Sequence, residues 1–98
     1  MQNSEILHVV YREFLDTQQT TVADIKAALE SDDFETAQRI AHTLKGLAGL
    51  ISADALVDVS AVNEKNFKEK TVMDDDLIKL EHELDRTLAG IAKLVNDE

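Results

Sequence analysis

The stretch "LIKLEHELDRTLAGIAKLV", residues 77–95, decides the fold class. Its apolar residues Leu77, Leu80, Leu84, Leu88, Ile91 and Val95 recur at steps of three and four. That is the spacing of one helical face, and it is sustained for about five turns at 3.6 residues per turn. Most of the residues between them are polar or small, so the segment reads as an amphipathic helix that buries one stripe.

The same spacing recurs upstream, and no convincing stretch alternates apolar with polar residues as a half-buried strand would. Capping chemistry sets the boundaries, because a short polar side chain can accept from the amides that the first helical turn leaves unpaired. "SDDFE" offers Asp32 with Glu35 three residues later, a capping-box variant that opens a helix through "AHTLKGLAGLI". Ser52 in "ISAD" is expected to stop that helix and cap the next, which carries Leu56, Val59 and either Val62 or Asn63 toward Phe67. Thr71, followed by Asp74, is expected to begin the last helix. Near the start, Val10 and Phe14 suit one short helix and Val22, Ile25 and Leu29 a second, with Thr21 and Asp24 as a cap pair. The run "TQQTT" between them holds no true breaker, which leaves one continuous helix as the other reading. These signals predict an all-α fold, an antiparallel up-down four-helix bundle with a short additional N-terminal helix. The expected spans are 4–16 for the short helix and 21–31, 33–51, 53–69 and 73–96 for the bundle, forming one domain over 1–98.

Composition narrows the function. Twenty acidic against ten basic residues give a formal charge of -10, which repels a phosphate backbone and speaks against nucleic acid. There is no cysteine, hence no disulfide and no thiolate chemistry. No apolar run approaches the roughly 18 residues of a membrane span, and "MQNSEI" lacks the character of a signal peptide. The expectation is a cytoplasmic protein without membrane insertion.

One helix carries a chemical feature. Successive residues turn by about 100°, so with His42 at zero, Ala37, Ile40, Leu44, Leu47, Ala48 and Ile51 cluster on the opposite side. Glu35, Gln38, Lys45, Gly46 and Gly49 fall within roughly 60° of the histidine. The ring is therefore expected to face solvent among polar or very small residues. Each interior glycine costs about 1 kcal/mol relative to alanine, a disadvantage that a purely structural helix has no reason to keep twice on one face. Gly46 leaves space beside His42, Gly49 flattens the next turn, and Lys45 can swing its ammonium toward an anion carried on the imidazole. The combination suits a phosphoryl group.

"AHTLKGLAG" resembles the signature of the histidine-containing phosphotransfer (HPt) domain family, with Ala41, His42, Leu44, Lys45 and Gly46 in the places of its motif. The approach "LESDDFETAQRIAHTLKG" and the step "ISADAL" are similar to the family as well. The likeness runs from about Phe14 to Leu94 and is specific from Phe34 to Leu56. There are departures: the family often has glycine at Ser52, a small or polar residue at Leu47 and Leu50, and an apolar residue at Asn63. Leu50 lies about 80° from His42, placing it as an apolar contact at the edge of the docking surface.

The resemblance implies a phosphorelay. On this likeness His42 accepts a phosphoryl group from the aspartyl phosphate of one response-regulator receiver domain and passes it to the aspartate of another, with a hybrid sensor kinase as a further partner. By family likeness the attacking atom is Nε2, Lys45 gives electrostatic support, and Gln38 hydrogen-bonds the ring or phosphoryl oxygens. Gly46, Gly49, Ala41, Leu50 and Arg39 form the receiver-docking surface. The chain needs no cofactor of its own, the Mg2+ coming with the receiver, and the family favours a monomer. No ATP-binding motif appears, so this is a carrier without autonomous kinase activity.

Three other readings compete. A sensor-kinase dimerisation and phospho-acceptor domain would follow the histidine with an acidic residue and then a proline, whereas Thr43 follows here and proline is absent. A carboxylate-bridged di-metal bundle would use Glu5 and His8, but the sequence offers no second such pair. "EHE" at 81–83 spreads around its helix, and His8 and His82 read as surface residues. A non-catalytic helical interaction module would not require His42, Lys45 and Gly46 together.

Overall fold

A computed structural model describes residues 3–96, with side chains from residue 8 onward. The described chain is helical throughout, with no strand: α1 (Asn3–Thr17), α2 (Thr21–Glu30), α3 (Phe34–Leu50), α4 (Asp54–Lys68) and α5 (Asp74–Asn96). The chain does break in "TQQTT". Thr21 is buried there and donates its hydroxyl to Gln18 Oε1 at 2.6 Å. The N-cap is therefore Thr20, one residue earlier than the pattern suggested; its hydroxyl donates to the Asp24 carboxylate at 3.1 Å and makes no side-chain cap to the helix amides.

Three of the helices stop by the same device. Asp32, Ser52 and Lys70 adopt left-handed backbone with φ of 58°, 57° and 56°. After each, the next amide reaches back five residues: Asp33 to the Ala28 carbonyl at 2.8 Å, Ala53 to Ala48 at 2.9 Å, and Thr71 to Asn66 at 2.8 Å. This is the Schellman arrangement, which pairs the carbonyls that a helix end would otherwise leave open.

The device corrects three caps. Asp32 terminates α2, and Asp33 caps α3, accepting from the Thr36 amide at 3.1 Å and the Thr36 hydroxyl at 2.7 Å. Those hydrogen bonds, with the charge of Arg39, hold the Asp33 carboxyl below the ordinary carboxylate value. Ser52 ends α3 but does not cap α4, since Ala53 stands at that position. Thr71 is consumed in closing α4, and α5 begins at Asp74 with three aspartates in its first turn, where they complement the helix dipole.

The core is built from Phe14, Ile25, Leu44, Leu56, Phe67, Leu80, Leu84 and Ile91, with Ala28, Ala37, Ala41 and Ala48 filling the narrower gaps. Helix α3 packs on α2 and α4, α4 also on α5, and α1 on α5. Three alanines on the inward side of α3 bring its backbone close to its neighbours, so its outward strip is held rigidly. Of the two candidates on α4, Asn63 turns inward and Val62 stays exposed. The Asn63 amide nitrogen donates to the Val59 carbonyl at 2.8 Å and the Asp76 carbonyl at 2.9 Å, tying α4 to the first turn of α5. Glu64, one residue further on, is thereby rotated toward α3.

Candidate functional site

The imidazole of His42 projects from the outward strip of α3 with 66% of its side chain exposed. Its Nδ1 lies 2.8 Å from Glu64 Oε2, and the other oxygen of the same carboxylate lies 2.7 Å from Lys45 Nζ. One half-buried carboxylate on α4 thus bridges the histidine and the lysine of α3. Burial alone would raise the Glu64 pKa, but the hydrogen bonds from Lys45 and His42, with the positive charge they bring, outweigh it and hold the group below its ordinary value of 4.5. Glu64 is accordingly an anion at neutral pH.

A carboxylate can only accept, so the proton of the neutral ring resides on Nδ1 and the lone pair on Nε2. An imidazole oriented in this way can act as a nucleophile at Nε2. Attack would leave the ring cationic, with the Nδ1–H still pointing at a negative oxygen. A carboxylate so placed can set the tautomer beforehand and stabilise a charge that develops on the ring.

The remaining residues singled out from sequence fall in different places. Gln38 and Arg39 line an open cleft of about 380 Å³ beside the ring, together with Glu35, His42 and Glu64. Gly46 and Gly49 are exposed, and a Cβ added at either meets nothing within 4 Å, so neither glycine is there for packing inside this chain. Leu50 is 69% exposed. Ala41 does not belong to the surface: it is fully buried in the core, because the residue preceding His42 turns by about 100° toward the interior, and it cannot touch a docked partner.

Glu64 escaped the sequence reading because its role depends on how two helices sit together, which a single helical wheel does not contain. A signal was nonetheless present in the chain. Ala53, in the connection, is equally far in sequence from His42 and Glu64, whose positions differ by 22, so a helical hairpin closing there sets them level.

Outside this cluster, the half-buried His8 ring meets Tyr11 edge-on at 6.5 Å, and the side chain of its proposed partner Glu5 lies outside the described residues. His82 is exposed, Glu81 pairs with Lys26 at 3.0 Å, and Glu83 with Arg86 at 3.1 Å. Among the described residues no group of three or more His, Asp or Glu side chains is gathered to hold a metal ion, and no helix is long and apolar enough to cross a membrane.

The model of the Hpt domain family matches residues 9–92, most of the chain. The chain belongs to the Hpt domain family. Hpt domains are helical phosphotransfer carriers rather than kinases, and in two-component phosphorelays they carry, as phosphohistidine, a phosphoryl group exchanged with receiver domains. Neither the curated proteins nor the solved structures yield a match.

Proposed function

We propose that His42 is the phospho-acceptor of this Hpt domain, taking a phosphoryl group from the aspartyl phosphate of one receiver and passing it to the aspartate of another. The observation that carries this reading is the contact of Nδ1 with Glu64, which leaves Nε2 unprotonated on an exposed ring. In the forward step, Nε2 forms the N–P bond while the P–O bond to the receiver's carboxylate breaks, and the carboxylate departs as an anion. No proton is transferred. The Nδ1–H stays in place, and Glu64 neutralises the imidazolium until the phosphoryl group leaves again. Both linkages are energy-rich, so the same geometry serves either direction.

Lys45 swings from Glu64 to the phosphoryl oxygens, Gln38 hydrogen-bonds the ring or phosphoryl oxygens, and Arg39 meets the partner's edge from the cleft. A transition state of this kind is stabilised mainly by positioning and charge neutralisation, so most of the machinery can sit on the receiver, which brings the magnesium ion. The chain itself is a carrier, without cofactor or autonomous kinase activity, monomeric and cytoplasmic. We read residues 1–98 as one domain, an antiparallel up-down bundle of four helices with α1 as the additional N-terminal helix. The level placement of His42 and Glu64 about Ala53 supports the antiparallel pairing of α3 and α4.

Incubation with a receiver carrying labelled aspartyl phosphate tests the assignment. Acid-labile, base-stable label is expected on the wild-type chain and none on a folded His42→Gln variant. Label retained by that variant would remove His42 from the role.

A further inference from the structure

The side of α4 that faces away from His42 carries a feature that phosphotransfer does not use. With Glu64 at zero and about 100° per residue, Ala55, Val59 and Val62 fall within about 40° of the opposite side of the helix. Together they line two adjoining clefts between α4 and α5, of about 440 and 190 Å³, which share Asp58, Val59 and Lys79. Ile78 of α5 lines the larger cleft at 63% exposure, and Val62 lines the smaller at 45%. Apolar side chains left open along one groove, rather than scattered singly, mark a contact surface.

We propose that the α4–α5 groove is a second docking surface, which seats the apolar face of a basic amphipathic helix of a partner protein while the ring of His42 stays free. The proposal goes beyond the phosphotransfer reading and does not depend on it. Geometry sets the shape of the occupant. A groove between two helices accepts the ridge of a third. The stretch from Ala55 to Val62 rises about 10 Å, two helical turns, which matches apolar anchors at i, i+3 or i+4, and i+7. Charge sets its sign. Asp58, Asp76 and Glu83 stand at the rim against Lys79, and Asp74 and Asp75 lie in the same first turn of α5 as Asp76. Glu83 is already paired with Arg86, but among the described residues Asp58 and Asp76 enter no ion pair, and Asp76 is held by the neutral Asn66 amide at 2.9 Å. Covering such carboxylates with an apolar or acidic partner costs their hydration without return, whereas lysines or arginines flanking an apolar stripe neutralise them. The formal charge of -10 steers a basic partner in the same sense. It speaks against a second copy of this chain, which would set one acidic rim against another. Because the width of α4, about 10 Å, stands between the groove and Glu64, the partner and the histidine do not compete for space.

The probe is a synthetic helix of about five turns, with leucines at i, i+3, i+4 and i+7 and arginines on both flanks of that stripe. A second peptide carries glutamate in place of every arginine. Binding to the full chain is read by fluorescence anisotropy and located by amide chemical shifts. The basic peptide is expected to shift the amides of Ala55, Val59, Val62 and Ile78 and to leave the His42 ring signals in place. Its Kd should rise about tenfold in Ile78→Lys, the size of effect of removing an apolar anchor, and about threefold in Asp58→Asn, with a weaker dependence on salt. Thermal melts establish that each variant is folded. Leu50→Lys should bind like the wild type, because Leu50 is as exposed, at 69%, but lies in the separate groove between α1 and α3. Equal affinity for the acidic peptide, shifts centred on His42 or on the α1–α3 groove, or an unchanged Kd in folded Ile78→Lys overturns the proposal. So does a concentration-dependent dimer of the wild type that Ile78→Lys abolishes, which would make the groove a contact between copies. Phosphoramidate, a small donor that needs no docked partner, keeps the two readings apart: a chain that binds the peptide as expected but takes no label at His42 would fail the phosphotransfer reading alone.

Discussion

Nδ1 of His42 and Oε2 of Glu64 are 2.8 Å apart across the α3–α4 interface, and that contact decides which ring nitrogen can react. The other oxygen of Glu64 lies 2.7 Å from Lys45, so the carboxylate that meets the ring is also paired to the ammonium. In the proposed transfer the pairing places a charge partner behind the ring and leaves its front open, the logic by which an acid orients an attacking imidazole.

Removing the orienting group should change the tautomer as well as the rate. In Glu64→Ala the proton is expected to shift from Nδ1 toward Nε2, read from the ring nitrogens by NMR at neutral pH. Transfer from a receiver should slow about ten- to a hundredfold, the scale on which loss of a group that orients an imidazole is felt, with KM nearly unchanged. A slower rate without the shift in tautomer would point instead to lost charge stabilisation alone.

The depressed pKa of Glu64 links the bridge to stability with a definite sign. A carboxyl whose folded value lies below its unfolded value of 4.5 contributes stability that is fully present above that pH and is lost as pH falls through the folded value. Wild type should therefore melt higher than Glu64→Gln at pH 7, and the gap should narrow as pH drops below 4.5. Paired melting curves across that range check this. A gap independent of pH would mean that the ionised bridge does not contribute.

The exposed glycines make the opposite trade. Nothing in this chain comes within 4 Å of an added Cβ at Gly46 or Gly49, so alanine at either position should stabilise the helix by about 1 kcal/mol. For a domain of this size that corresponds to a rise of roughly 4–8 °C in Tm. Phosphotransfer with a receiver should nonetheless weaken, because each methyl group lifts the partner off the strip beside His42. A variant gaining both stability and transfer rate would show that the glycines have no docking role.

The outward strip of α3 was legible in the sequence because it is a property of one helix. The wheel placed His42, Gly46 and Gly49 on its exposed side and Leu44 and Ala48 on its buried side, as the structure has them. What depends on two elements was not. Glu64 became visible only when α4 was laid beside α3, and the wheel left Val62 and Asn63 as equals because the choice is made by the Asp76 carbonyl of α5. The caps slipped for a different reason. Asp32, Ser52 and Lys70 carry left-handed backbone without being glycine, so the Schellman stops had no glycine to mark them.

Those stops yield the final prediction. A residue with a Cβ in left-handed backbone costs about 1–2 kcal/mol, which glycine avoids while paying some entropy of its own in the unfolded chain. Asp tolerates the region best of the three, since its short polar side chain can hydrogen-bond locally, so Asp32 has least to gain from replacement. Lys70 has no such compensation and should gain most, with Ser52 between them. Lys70→Gly is expected to raise the stability measured by urea unfolding by about 0.5–1 kcal/mol, the usual net effect where the backbone, rather than a contact, sets the cost. Lys70 also lines an open cleft with Asp32, Asp33 and Glu35, so its charge acts on them too. Lys70→Ala separates the two contributions, because it removes the ammonium but keeps the Cβ in the same backbone. Glycine should be more stable than alanine there by about 0.5–1 kcal/mol, the left-handed cost less the entropy that glycine loses on folding. Equal stability of the two variants would assign the whole effect to the lost charge and leave the left-handed turn without a measurable cost.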